Sequence, residues 1–176
     1  MTSPLSQAQL SIFLACQGQD AQSGNYQIPF LYRLPQETDL KRLCRALEAF
    51  VAAHPYILSR LVEEDGIPRM QAGGEKHWEA TVTETDTIEK YRAGFGRPMD
   101  LYKEPLFRLE LYKTPDGNYL YMDFHHILFD GASGAVFSKA MTEAYEGKEI
   151  DAESITADVV NIRLLPSAIR RSISPW

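Results

Sequence analysis

Two strand-like runs, Leu106 to Tyr112 and Tyr119 to Phe124, flank Pro115-Asp116-Gly117 and lead into a helical pattern. This order constrains the fold more than any other segment. The proline presets φ and the glycine lets the chain reverse, so the turn predicts an antiparallel hairpin of type I or bulged form. Val136, Phe137, Ala140, Met141, Ala144 and Tyr145 then recur at helical spacing as far as Gly147, which stops the helix. Upstream, Ser6-Gln7-Ala8-Gln9 has the spacing of a capping box, with Leu10, Phe13 and Leu14 on one face, and predicts a helix over about 6–18. Residues 25–34 read as a strand closed by Pro35. Leu40, Leu43, Cys44, Leu47, Phe50 and Val51 predict a second helix, capped by Thr38 or Asp39 and stopped by Pro55. Ile57–Val62 and Ile67–Gln71 read as a hairpin around the acidic turn Glu63-Glu64-Asp65-Gly66. Trp78, Ala80 and Val82 alternate as a further strand, and Ile88–Phe95 reads as a short helix. Helices and strands mix without strict βαβ repetition, so the expected class is α+β, a mixed sheet covered by helices.

With 176 residues and 44% apolar content, one domain with one core is expected. No apolar run is long enough to span a bilayer, and the net charge of -6 disfavours nucleic acid as a partner. Met1-Thr2-Ser3-Pro4 lacks the basic flank and apolar stretch of a secretory signal, which favours a cytoplasmic setting. Cys16 and Cys44 fall on apolar stripes of predicted helices and read as buried, reduced thiols. From residue 163 onward Arg163, Arg170 and Arg171 stand without an acid, and the chain ends Ser174-Pro175-Trp176. The stretch 151–176 therefore reads as a tail, truncated or non-native, attached to a lobe over 1–150.

The chemistry concentrates in His125-His126-Ile127-Leu128-Phe129-Asp130-Gly131, at the junction between the second hairpin strand and the third helix. Four fixed residue types in seven positions arise by chance on the order of once in a few thousand sequences. Side chains on a strand alternate faces, so His126 is expected to share the face of Leu120, Met122 and Phe124, and His125 that of Tyr121 and Asp123. Adjacent histidines on opposite faces do not share a metal ion, and no other His or Cys cluster supplies ligands, so no metal site is expected. No Gly-x-Ser-x-Gly elbow or Cys-His pair offers a nucleophile, although Ser133 is close in sequence. What remains is a base without its own nucleophile: an imidazole that takes a proton from an amine, hydroxyl or thiol attacking an acyl group. Asp130 is either the N-cap of the following helix or an anion fixing the loop through a basic partner. Gly131 permits close backbone approach, beside helix N–H groups suited to an oxyanion.

At these residues the chain resembles the condensation domains of nonribosomal peptide synthetases, whose hallmark is His-His-x-x-x-Asp-Gly, within the chloramphenicol acetyltransferase-like superfamily. Leu5-Ser6-Gln7-Ala8-Gln9 resembles the family's Ser-x-Ala-Gln motif. His54-Pro55-Tyr56-Ile57-Leu58-Ser59-Arg60 resembles its Arg-His-x-x-Leu-Arg motif, with Ala53 in the place of the first arginine and Arg60 as the later basic residue. Pro98-Met99-Asp100-Leu101 and Pro105-Leu106-Phe107-Arg108 resemble the segment ahead of the catalytic strand. The resemblance runs from about residue 5 to 150. It implies a chloramphenicol acetyltransferase-like lobe in which His126 is catalytic, as general base or as an orienting and electrostatic group. Gly131 would bring its backbone near the reacting acyl group, with His125 and Asp130 as structural support. Substrates would be acyl or aminoacyl thioesters on phosphopantetheine arms of partner carrier proteins, joined as an amide, with no cofactor bound directly. Family members are well over twice this length, two such lobes in a V, so the missing C-terminal lobe is itself an expected partner. The isolated chain is expected to fold but to condense poorly.

Two rivals remain at this level. One is a coenzyme A dependent O- or N-acyltransferase of the same superfamily, although its motif would stand closer to the C-terminus. The other is a noncatalytic half-domain that binds a carrier protein or self-associates as a homo-oligomer through an apolar face around Leu120, Met122 and Phe124.

Overall fold

In the computed structural model, which describes residues 2–18, 24–73, 78–150 and 171–172, local sequence signals set most element boundaries. Ser6 starts helix α1 (Gln7–Gln17) with a full capping box: its side chain accepts from the Gln9 N–H while the Gln9 side chain accepts from the Ser6 N–H. Asp39 caps α2 (Leu40–Ala53) by accepting from the Arg42 N–H. A short α3 (Glu89–Arg92) follows, and Asp130 caps α4 (Gly131–Tyr145), with Gly147 at φ 81 just past its end.

Among the described residues, eight strands form two sheets. β1 (Thr2–Pro4), β3 (Arg60–Glu64) and β4 (Ile67–Gln71) make a small antiparallel sheet in the order β1-β4-β3. The β3–β4 turn uses Asp65 and Gly66, both at positive φ (53 and 74), the backbone that a two-residue type I′ hairpin requires. The main sheet contains β2 (Gln27–Leu34), β5 (Val82–Glu84), β6 (Phe107–Thr114), β7 (Gly117–His125) and β8 (Arg171–Ser172), in the order β5-β6-β7-β2-β8. β5 runs parallel to β6, and the other neighbours are antiparallel.

The main core lies on one face of this sheet. Phe107, Leu109 and Leu111 of β6 and Leu120, Met122 and Phe124 of β7 meet Leu43, Leu47 and Phe50 of α2 and Phe137 and Met141 of α4. Each fully buried side chain of this size contributes about 1.5–3 kcal/mol relative to exposure. A second cluster joins Phe13 of α1, Leu61 and Met70 of the small sheet, and Met99, Leu101, Leu106 and Ile127. On the opposite face of the main sheet, Tyr112, Tyr119 and Tyr121 gather Ile88, Leu31 and Phe95.

Several expectations change. The stretch from Ile57 does not open a strand, because Pro55 begins a 3-10 turn (Pro55–Leu58) in which His54 O accepts from the Ile57 N–H, and β3 starts only at Arg60. Trp78 and Ala80 alternate as a strand would but are not one. The Ala80 N–H is taken by Glu48 of α2 and the Trp78 ring packs on Phe107, so β5 is confined to Val82–Glu84. The helix expected over Ile88–Phe95 shortens to Glu89–Arg92, as the chain turns through Gly94 to Gly96 at φ 70. β1 was not anticipated. Leu120, Met122 and Phe124, offered as an exposed face for self-association, are 0%, 0% and 1% exposed, because α2 and α4 of this same chain cover them. Of the tail expected over 151–176, only Arg171 and Ser172 fall within the described residues, opposite Arg33 and Tyr32 of β2. The remainder lies outside them. Both cysteines are free and half-buried, and burial pushes both thiols up.

Candidate active site

β7 ends at His125, and the next three residues turn away before Asp130 starts α4. Strand alternation therefore stops one residue short of His126. That ring is exposed and does not share the buried face of Leu120, Met122 and Phe124. His125 keeps the expected face with Tyr121 and Asp123 and is 5% exposed. The loop is pinned just after His126: Ile127 enters the second cluster, and Phe129 stacks on Phe124 with ring centroids 4.0 Å apart.

The backbone around His126 is held as firmly. Its N–H donates to Tyr26 O at 2.7 Å, immediately before β2. The Ile127 N–H donates to His125 Nδ1 at 3.2 Å, and the N–H groups of Leu128 and Phe129 both reach His125 O, at 3.0 and 3.2 Å. Nδ1 is thus an acceptor, so His125 is neutral with its proton on Nε2. Burial first, and the neighbouring His126 second, push the His125 imidazole down to about 4.

This has a consequence for acid stability. Above the ordinary histidine value neither the folded nor the unfolded state carries the proton. Between pH 6.5 and about 4 the unfolded chain protonates His125 and the folded chain does not, so stability falls as the pH is lowered. His125 is expected to account for roughly 2–3 kcal/mol of destabilisation between pH 7 and pH 4. Urea titrations of wild type and His125→Asn, whose amide oxygen can replace the acceptor, check this. The variant should lose less stability over that interval, and equal losses would refute the assignment.

Asp130 takes the first of its two expected roles. Its Oδ1 accepts from the Ser133 N–H at 2.8 Å and from the Ser133 hydroxyl at 2.9 Å, which makes it the α4 cap. These bonds, the Ser133 N–H foremost, hold its carboxyl below the usual range, with a smaller contribution from His126. Ser133 serves the cap and is not presented as a nucleophile. Gly131 is the first residue of α4 and is exposed beside the loop. Among the described residues, no group of three or more His, Cys, Asp or Glu could hold a metal ion. Nor is any helix among them long and apolar enough to cross a membrane.

The structure adds residues that sequence reasoning did not single out. Asp123, fully buried, accepts at Oδ2 from Arg108 Nη1 (3.0 Å), Gln27 Nε2 (3.1 Å) and the Tyr121 hydroxyl (2.9 Å). Arg108 also donates to Arg97 O (2.7 Å), Pro98 O (3.3 Å) and Glu104 (3.0 Å), which ties the 97–104 segment to the sheet. Burial pushes the Asp123 carboxyl up, against the opposing effects of Tyr121, Arg108 and Gln27. Gln27 stands opposite His125 in the β2–β7 register and follows Tyr26, so this buried network supports the strand that holds His126. By contrast, His54 closes α2, with Nδ1 donating to Phe50 O at 3.0 Å and its ring stacked on Phe50, and Arg60 bonds Gln71.

Residues 1–161 match the family model described as Condensation domain. Bacitracin synthase 3 of Bacillus licheniformis is 32% identical over 129 residues, which is 72% of this chain and 2% of that protein. Bacitracin synthase 2 of the same organism is 30% identical over 152 residues, 85% of this chain and 6% of that protein. Against 30% identity over 156 residues with surfactin synthase subunit 1 of Bacillus subtilis (strain 168), the shares are 85% and 4%. The chain thus spans a few per cent of the length of these relatives. Among solved structures, the starter condensation domain of rhizomide synthetase RzmA superposes with a TM-score of 0.70 at 23% identity, covering 85% of this chain and 39% of that one. The X-domain from teicoplanin biosynthesis gives 0.65 at 20%, covering 84% and 34%. At these identities the structural likeness establishes the fold, a chloramphenicol acetyltransferase-like lobe of α+β class.

Proposed function

The chain belongs to the condensation domain family, and we propose that residues 1–150 form the N-terminal lobe of a condensation domain that joins carrier-bound aminoacyl and acyl groups in nonribosomal peptide synthesis. His126 is the reacting ring. As an acceptor amine attacks the donor thioester carbonyl, the N–C bond forms, the C–S bond breaks, and His126 takes the amine proton, which then neutralises the departing thiolate. The backbone N–H of Gly131 meets the carbonyl oxygen as it gains charge. His125 and Asp130 hold the loop and do not touch substrate.

The observation that carries this reading is the contrast within one dipeptide. His125 is buried, neutral and bonded inward, while His126 presents an exposed ring on a backbone fixed at every step. Such a ring can meet a substrate without reorganising its support. Its partners in this reading are carrier proteins with phosphopantetheine arms and a C-terminal lobe, since the chain spans 39% of the solved starter condensation domain.

The test is a condensation assay with aminoacyl thioesters on carrier proteins, run on the 176-residue chain alone and on the same chain joined to a C-terminal lobe. Amide product is expected from the joined protein and little from the chain alone. Failure of the joined protein to make amide, or equal turnover by the chain alone, would overturn the proposal.

A further inference from the structure

Gln9 uses every polar atom of its side chain. Oε1 accepts from the Ser6 N–H at 3.0 Å, completing the α1 cap. Nε2 donates to the Tyr56 hydroxyl at 2.6 Å and to Ile127 O at 3.2 Å. The Ser6 N–H can only donate and the Ile127 carbonyl can only accept, so the amide has one orientation that satisfies both. A single half-buried side chain therefore joins the start of α1, the 3-10 turn at Tyr56 and the loop that carries His126.

We propose that Gln9 is a positioning residue for His126, acting through the carbonyl of Ile127. Tyr26 O fixes the peptide entering His126, and His125 Nδ1 fixes the peptide between His126 and Ile127. Gln9 fixes the peptide after Ile127. Without it the third of three consecutive peptides loses its carbonyl partner and keeps only the Leu128 N–H bond to His125 O, although the Ile127 side chain stays buried. This goes beyond the capping role that the Ser-x-x-Gln spacing conveys, because capping uses Oε1 and the loop contact uses Nε2. It rests on the reading of His126 as the reacting group, but its test reads loop geometry and does not depend on catalysis.

Two substitutions in the 176-residue chain separate the roles. Gln9→Glu keeps an oxygen for the Ser6 N–H and places negative charge at a helix N-terminus, where it is favourable. It removes both amide donors and sets a carboxylate against Ile127 O. Ser6→Ala removes the hydroxyl that accepts from the Gln9 N–H, and leaves Nε2 in place. Hydrogen exchange and imidazole NMR shifts are measured for both. In Gln9→Glu the amides of Ile127, Leu128 and Phe129 should exchange about tenfold faster, with a shifted His126 imidazole resonance, while the amides of α1 change by less than about twofold. Ser6→Ala should give the reverse, with frayed α1 amides and an unmoved loop. Loop amides and His126 resonances unchanged in Gln9→Glu would overturn the proposal, as would the same loop response in both variants.

Discussion

His126→Ala, made in a two-lobed domain carrying this lobe, is expected to lower kcat/KM by about 10²- to 10⁴-fold with the fold intact. The fold should survive because the ring is exposed and the loop's order comes from elsewhere. The support comes from the His126 N–H on Tyr26 O, which alanine retains, and from the side chains of Ile127 and Phe129 in two separate clusters. The measurement is steady-state kinetics with carrier-bound thioesters alongside a thermal melt. A general base would also give the wild type an acidic limb in its pH–rate profile that the variant lacks, whereas an orienting role would lower the rate without removing that limb. A loss under about threefold with an unchanged melt would reduce His126 to a bystander.

The second large effect concerns stability. Arg108→Ala should cost about 3–5 kcal/mol, because it leaves Asp123 buried without its counter-charge, whereas Asp123→Ala should cost less, since Glu104 still faces the Arg108 guanidinium at 3.0 Å. Asp123 has no exposure through which water could replace Arg108, and Arg108 also holds the carbonyls of Arg97 and Pro98. The pair is not thereby worth its own removal cost, since taking two charges out of water is unfavourable to begin with. A double-mutant cycle separates the two quantities. The double variant Arg108→Ala with Asp123→Ala should lose clearly less than the sum of the two single variants in a urea titration. Additive losses would mean that the two side chains act independently.

Much of this architecture was legible in the sequence because local rules and long-range packing agree. Ser6, Asp39 and Gly147 mark helix ends by their own chemistry, and the spacing of Leu43, Leu47 and Phe50 declares the buried face of α2. The readings that failed did so where tertiary partners overrode local pattern. Ala80 gives its N–H to Glu48 and not to a strand, and Leu120, Met122 and Phe124 find their cover within the same chain. Of the site, the cap at Asp130 could be read in advance. The exposure of His126 could not, since it depends on β7 stopping at His125. The Arg108–Asp123 pair was within reach. The two-residue connection at Pro115-Asp116 sets Thr114 opposite Gly117, and that register places Arg108 opposite Asp123. The reach of Gln9 to Ile127 had no such signal, because it joins segments more than a hundred residues apart.

The bond from His126 to Tyr26 also bears on how the molecule is made. β2 and β7 have β3 to β6 between them in sequence, yet the two pair from Gln27 opposite His125 through Leu34 opposite Asn118. A ribosome must therefore deliver the chain through β7 before the histidine has a strand to lean on. Closing so long a loop is only modestly costlier than closing a short one, about 0.6 kcal/mol per doubling, but such distant pairings are slow to find. His126 would then be among the last of these residues to reach its place, well after α1, α2 and the β3–β4 hairpin have had time to form.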